Sequence, residues 1–122
     1  MKRNETNQNY LEAIYFISLK KDNVKAIDVA KYLGFSRPTV SIALKELVKE
    51  GYVEMNGYDV NLTDSGKKIA KEMAERHEYI ARLLIYFGVD EETAYEDSCL
   101  IEHDLSKDSF AAIKRATKHL KL

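Results

Sequence analysis

LGFSRPTVSIALKELVKEG, residues 33–51, is a helix stop followed at once by a helix start. Gly34 suits the left-handed residue that ends a helix. Two residues on, Ser36 offers a side-chain oxygen to the free N–H groups of a new first turn, and Pro38 falls where a missing N–H costs nothing. Val40, Ala43, Leu44 and Leu47 recur at three- and four-residue spacing and form one apolar stripe. Gly51 ends the run. A tight turn between two helices, the second with a polar, cationic start, is the core of a helix-turn-helix.

The flanks extend that unit. Upstream, KAIDVAKYLGF (25–35) predicts a short helix with Ile27, Val29, Ala30 and Leu33 inward. Before it, NQNYLEAIYFISLKK (7–21) predicts a longer one, with Tyr10, Leu11, Ile14, Ile17 and Ser18 along one side. Downstream, YVEMNGYDVNL (52–62) holds two strand-like runs about Asn56-Gly57, a strong hairpin signal. Helix, helix, turn, helix and hairpin, in that order, give a winged helix-turn-helix over residues 1–62. Its second turn-helix would enter the DNA major groove. Ser36, Arg37, Pro38, Thr39 and Ser41 stand at its start, where hydroxyls and free N–H groups bind phosphate and Arg37 reaches phosphate or guanine. Lys45 and Lys49 follow as phosphate contacts. The alternative is a helical module with a hairpin that binds protein.

Residues 63–122 predict helices only. TDSGKKIAKEMAERHEYIARLLIYF (63–87) is one long helix, capped at Thr63 or Asp64 and stopped by Gly88. DEETAYEDSCLIEHDL (90–105) opens with acids, as a helix N-terminus favours, and Ser106 caps a last helix. The fold class is thus mainly α, a winged helix with a small β-hairpin followed by a helical domain.

Composition sets limits. The chain has 122 residues, 45% hydrophobic and 32% charged, which suits one globular domain or two small lobes. No apolar run is long enough to span a membrane, and the start is neither signal peptide nor anchor. One cysteine forms no internal disulfide, so a cytoplasmic location is expected. The net charge of −1 weighs against DNA binding, and residues 1–60 carry nine basic and eight acidic side chains. DNA contact then rests on a local patch.

The segment SCLIEHDL (98–105) holds that one cysteine with a glutamate and a histidine. At i, i+3 and i+4 of a helix, Cys99, Glu102 and His103 share a face and can converge on one ion. Further ligands would come from elsewhere, with His77, Glu12 and Asn9 as candidates. Taken singly, each residue has a plainer reading, and a lone cysteine is more often a small core hydrophobe. Cys99 as a redox sensor is a further alternative. His77 is not part of a zinc-protease motif, because HEYIA lacks the second histidine. No phosphate loop or catalytic triad is visible, so an enzyme and a small-molecule substrate are not expected. His119 reads as a surface residue near a helix end.

NYLEAIYFI, SRPTVS, LTDSGKKIAKEM, RHEYIARLL and CLIEH together resemble the diphtheria-toxin-repressor family of metal-dependent transcriptional regulators. The likeness covers nearly the whole chain, and is to the short, two-domain members typified by manganese transport regulators. It implies a winged-helix domain (1–62), a helical metal-binding and dimerisation domain (63–122), a homodimer on double-stranded operator DNA, and repression of metal-uptake genes. It carries metal ligands onto Asn9, Glu12, His77, Cys99, Glu102 and His103. Glu12 and His77 match the manganese branch. Cys99 matches the iron branch, where manganese regulators have glutamate. Asn9 departs from both branches, and Ala81 and Tyr95 replace ligands of the iron branch's second site. A thiolate favours Fe(II), Co(II), Ni(II) or Zn(II) over Mn(II). Fe(II) is therefore expected, with Mn(II) as the alternative. A ligand set drawn from both domains would let the metal set the spacing of the two recognition helices.

Overall fold

The computed structural model describes residues 2–122, with side chains from residue 6 onward. Its elements are α1 (Lys2–Ser18), α2 (Ala26–Leu33), α3 (Arg37–Lys49), β1 (Val53–Asn56), β2 (Asp59–Leu62), α4 (Asp64–Tyr86), α5 (Glu91–Ile101) and α6 (Lys107–Ala116). Two compact units divide inside α4, one over Arg3–Glu72 and one over Met73–Leu122.

In the first unit the turn between α2 and α3 follows from its caps. Gly34 has φ of +73°, and the N–H groups of Gly34 and Phe35 both donate to the Ala30 carbonyl, at 2.9 and 3.0 Å. The Ser36 hydroxyl accepts from the Thr39 N–H at 3.3 Å and so starts α3. Val40, Leu44 and Leu47 are buried beneath it, in one apolar core with Tyr10, Leu11, Ile14, Val29, Val53 and Val60. At the head of α2, the Asp28 carboxylate accepts from the Lys25 N–H and pairs with Lys21. The Lys21 ammonium, then that N–H, hold the Asp28 carboxyl below its usual range.

The hairpin differs in detail from the Asn56-Gly57 reading. Asn56 still pairs with Asp59, so the two-residue loop is Gly57-Tyr58. Of the two loop residues only Gly57 has positive φ, +65°. That excludes a type I′ turn and fits type II′, with glycine first. The wing also pairs with residues 24–26 through an isolated antiparallel bridge, Lys25 opposite Asp59, that periodicity did not reveal. The Val60 N–H donates to the Val24 carbonyl at 2.8 Å, and the Ala26 N–H to the Tyr58 carbonyl at 3.1 Å.

α4 starts against the end of the hairpin. Thr63 is its cap, accepting from the Gly66 N–H at 3.2 Å while donating to the Gly51 carbonyl at 2.7 Å. A Cβ on Gly66 would lie 2.0 Å from the Tyr52 carbonyl oxygen, so only glycine fits there.

In the second unit Asp90 caps α5 and Ser106 caps α6, each accepting from the N–H three residues on. The buried apolar residues are few: Met73, Ile80, Ala81, Ala94 and Phe110. Arg76, Ser98 and Glu102 are buried beside them. Among the described residues no helix is long and apolar enough to cross a membrane.

Candidate metal centre and DNA-reading helix

α5 turns an unusual side inward. Ala94, Ser98 and Glu102, one turn apart, are all fully buried, whereas Leu100 is 67% exposed. Ser98 donates its hydroxyl to the His77 carbonyl and seats α5 on α4. That contact brings Cys99 and Glu102 to His77: one ligand atom of each lies within 4.8 Å of the other two. The helix ends sooner than the i, i+3, i+4 reading supposed. Glu102 is the C-terminal cap of α5 and keeps helical dihedrals, while His103 stands in the turn beyond. His103 still reaches Glu102 from that turn.

Both carboxylate oxygens of Glu102 meet a histidine. His77 Nδ1 is 3.2 Å from Oε2, and His103 Nε2 is 3.3 Å from Oε1. These approaches are short, yet neither is aligned as a hydrogen bond, and His77 Nδ1 and both Glu102 oxygens are buried without a hydrogen-bond partner. A fully buried carboxylate left in that state costs several kcal/mol. A bound cation removes the cost. Donor atoms about 2.1 Å from one ion sit roughly 3.0–3.4 Å apart, the spacing seen here. Thiol, carboxylate and imidazole are also a donor set suited to a divalent transition metal. The residues present therefore fit such an ion. Cys99 is exposed, which leaves an entry from solvent.

Asn9 and Glu12, the two remaining expected ligands, lie on α1 in the first unit, half-buried and buried respectively. Ala81, at one of the replaced positions, is fully buried. Tyr95, at the other, has its ring 5.6 Å from that of His77 and donates its hydroxyl to Glu78 at 2.7 Å. Glu78 also accepts from Arg82 at 2.7 Å. The Tyr95 hydroxyl, then the Arg82 guanidinium, hold the Glu78 carboxyl below its usual range, and the same carboxylate pushes the Tyr95 hydroxyl up.

Of the expected DNA contacts, Ser36, Arg37, Pro38, Thr39, Ser41 and Lys45 are all exposed. The Ser36 hydroxyl is engaged with Thr39, donating to its Oγ1 at 2.9 Å. Arg37, Ser41 and Lys45 line a groove of about 500 Å³ whose other wall is the wing, with Met55, Gly57 and Tyr58. Lys25 joins that groove, paired with Asp59 at 3.0 Å. Sequence reasoning passed over Lys25 and Tyr58. An aromatic residue in a turn, 81% exposed, was the available signal.

Residues 3–60 match the family description "Iron dependent repressor, N-terminal DNA binding domain", and residues 63–122 match "Iron dependent repressor, metal binding and dimerisation domain". The transcriptional regulator MntR of Salmonella typhimurium is 33% identical over 117 residues, which are 95% of this chain and 74% of that protein. The HTH-type transcriptional regulator MntR of Bacillus pumilus is 36% identical over 107 residues, 87% of this chain and 74% of that one. A manganese-dependent transcriptional repressor solved in complex with manganese superposes with a TM-score of 0.82 at 27% identity, over 93% of this chain. The chain spans about half of that longer structure, 53% of its length.

Proposed function

Since the chain belongs to the iron-dependent repressor family of DNA-binding transcriptional regulators, we propose that it is a homodimeric repressor of metal-uptake genes whose operator affinity rises with a divalent transition metal. The observation that carries the metal reading is Glu102, a fully buried carboxylate between two histidine nitrogens with no hydrogen bond to either oxygen. His77, Cys99 and Glu102 would hold the ion, with Asn9, Glu12 and His103 as the further ligands that the family resemblance implies. When bound, the ion supplies positive charge that neutralises the Cys99 thiolate and the Glu102 carboxylate. The residues do the rest. Ser98 and Tyr95 fix α5 on α4, and Glu102 must be ionised and His77 and His103 neutral to serve as ligands. The output surface is the start of α3, where Arg37 and Lys45 have no carboxylate partner among the described residues. Lys25, at the head of α2, and Tyr58, in the wing, extend that surface. Dimerisation would cover the exposed apolar side chains Tyr86, Phe87, Leu100 and Ile101.

Fe(II) is the metal we assign, because Cys99 supplies a soft thiolate. Mn(II) is the second reading, favoured by the MntR relatives and by the likeness to a repressor solved in complex with manganese. A ligand shifts a conformational equilibrium only by its preference for one state, and a change from 1:99 to 99:1 needs roughly 5.5 kcal/mol. The test is anaerobic binding to operator DNA at fixed salt with Fe(II), Mn(II) or neither. Fe(II) dependence that Cys99→Ala abolishes supports the assignment. Mn(II) dependence indifferent to Cys99 replaces Fe(II) with Mn(II). Equal binding under all three conditions refutes the metal reading altogether.

A further inference from the structure

Arg76 is buried, 7% exposed, on the face of α4 that carries Met73, His77 and Ile80. A buried guanidinium ordinarily pairs with a carboxylate. Among the described residues Arg76 has none. Its Nη1 donates instead to two carbonyls, Glu102 at 3.2 Å and Leu105 at 2.7 Å. The guanidinium carbon stands 5.2 Å from the centre of the Phe110 ring, on α6. These partners share one location. Glu102 and Leu105 bracket the turn after α5, and His103 lies between them. The Glu102 carbonyl belongs to the last turn of α5, where unpaired carbonyls concentrate negative potential that a cation offsets.

We propose that Arg76 is a positioning residue of the metal centre. It pins the 102–105 turn from beneath, so that the Glu102 carboxylate and the His103 imidazole are held side by side before any ion arrives. The turn needs such a device for two reasons. His103 lies past the end of α5, so no helical register fixes its side chain. Both Glu102 oxygens are buried without a hydrogen bond, and an untethered turn would relax by swinging the carboxylate toward water. Arg76 holds the backbone through its carbonyls while leaving both carboxylate oxygens to the ion. The inference rests on the metal reading above.

The test compares the full-length wild type with Arg76→Lys, which keeps the charge but loses the flat guanidinium on Phe110. Co(II) is the probe, followed by its visible absorption, and amide hydrogen exchange is measured on the metal-free proteins. Arg76→Lys is expected to weaken Co(II) binding roughly tenfold, the loss typical of a residue that orients a ligand. It should also speed exchange at the Glu102 and Asp104 amides. In a His103→Ala background the same substitution should cost measurably less Co(II) affinity than in the wild type, because coupled residues are not additive. Wild-type Co(II) affinity in Arg76→Lys overturns the proposal, and so does an undiminished tenfold loss in the His103→Ala background. Wild-type protein that binds no Co(II) overturns the metal centre and this proposal with it. If Arg76→Lys does not fold, Phe110→Leu removes the aromatic platform alone. A weaker loss of affinity with faster exchange at the same two amides is then expected, and unchanged values overturn the proposal.

Discussion

Apart from Glu12, the N-terminal unit buries apolar side chains, whereas the C-terminal unit buries Arg76, Ser98 and Glu102 beside five apolar ones. Beneath α3 the N-terminal unit packs Leu11, Ile14, Val40, Leu44 and Leu47, and its polar side chains at the start of α3 face outward. The C-terminal unit buries Arg76, Ser98 and Glu102 and leaves Phe87 and Leu100 in solvent. One is arranged for its own stability. The other spends stability on a charged interior. On the function proposed above, that contrast separates the part that would read DNA from the part that would sense metal and assemble.

The contrast breaks most sharply at Glu102. Glu102→Gln should lower metal affinity by at least about 100-fold, beyond the loss typical of an outer-shell residue. It should also raise the melting temperature of the metal-free protein, since an uncompensated buried charge disappears. Calorimetry with and without metal measures both, and a lower metal-free melting temperature would contradict the reading of Glu102 as uncompensated. Gly66 tests the other unit. Gly66→Ala forces a Cβ against the Tyr52 backbone and should destabilise by about 3 kcal/mol, read by urea unfolding, with no route to relief through metal. Leu100→Glu should leave secondary structure intact while shifting sedimentation toward the monomer. A dimer that tolerates it moves the interface away from α5.

Smaller effects sharpen the picture at the caps. Ser36→Ala should cost about 1 kcal/mol of stability, through the lost cap of α3. The acid limb tests Asp28, whose carboxyl is held below its ordinary range chiefly by Lys21. A depressed folded-state pKa means that the stabilisation is present above the unfolded value and is lost as pH falls through the folded one. Asp28→Asn should therefore reduce stability near neutral pH and flatten its loss on acidification; a parallel displacement at every pH would exclude the Lys21 pair as the cause.

How much could be read in advance follows the same division. Gly34, Ser36 and Pro38 announce the turn, and the stripe from Val40 to Leu47 announces the core, because caps and periodicity are local. The hairpin was legible as a hairpin, yet its loop sits one residue later than Asn56-Gly57. Ladder pairing with Asp59 and with the Val24–Ala26 segment overrides the local turn signal. In α5 the apolar pattern misleads. Leu100 and Ile101 look like core and are exposed, while Ser98 and Glu102 look like surface and are buried. Arg76 left a faint trace, as a charge three residues from Met73 on an otherwise apolar stripe.

By itself the sequence determined the order of elements, the caps at Gly34, Ser36 and Ser106 and the set of residue types able to bind a metal, since each depends on neighbours a few positions away. Only the tertiary structure decided that His77 meets Cys99 and Glu102, that both Glu102 oxygens lack hydrogen bonds, and that Arg76 grips the turn carrying His103. Those facts join residues from separate helices, and burial, which turns a carboxylate from a solvated group into a ligand, arises only when the helices pack.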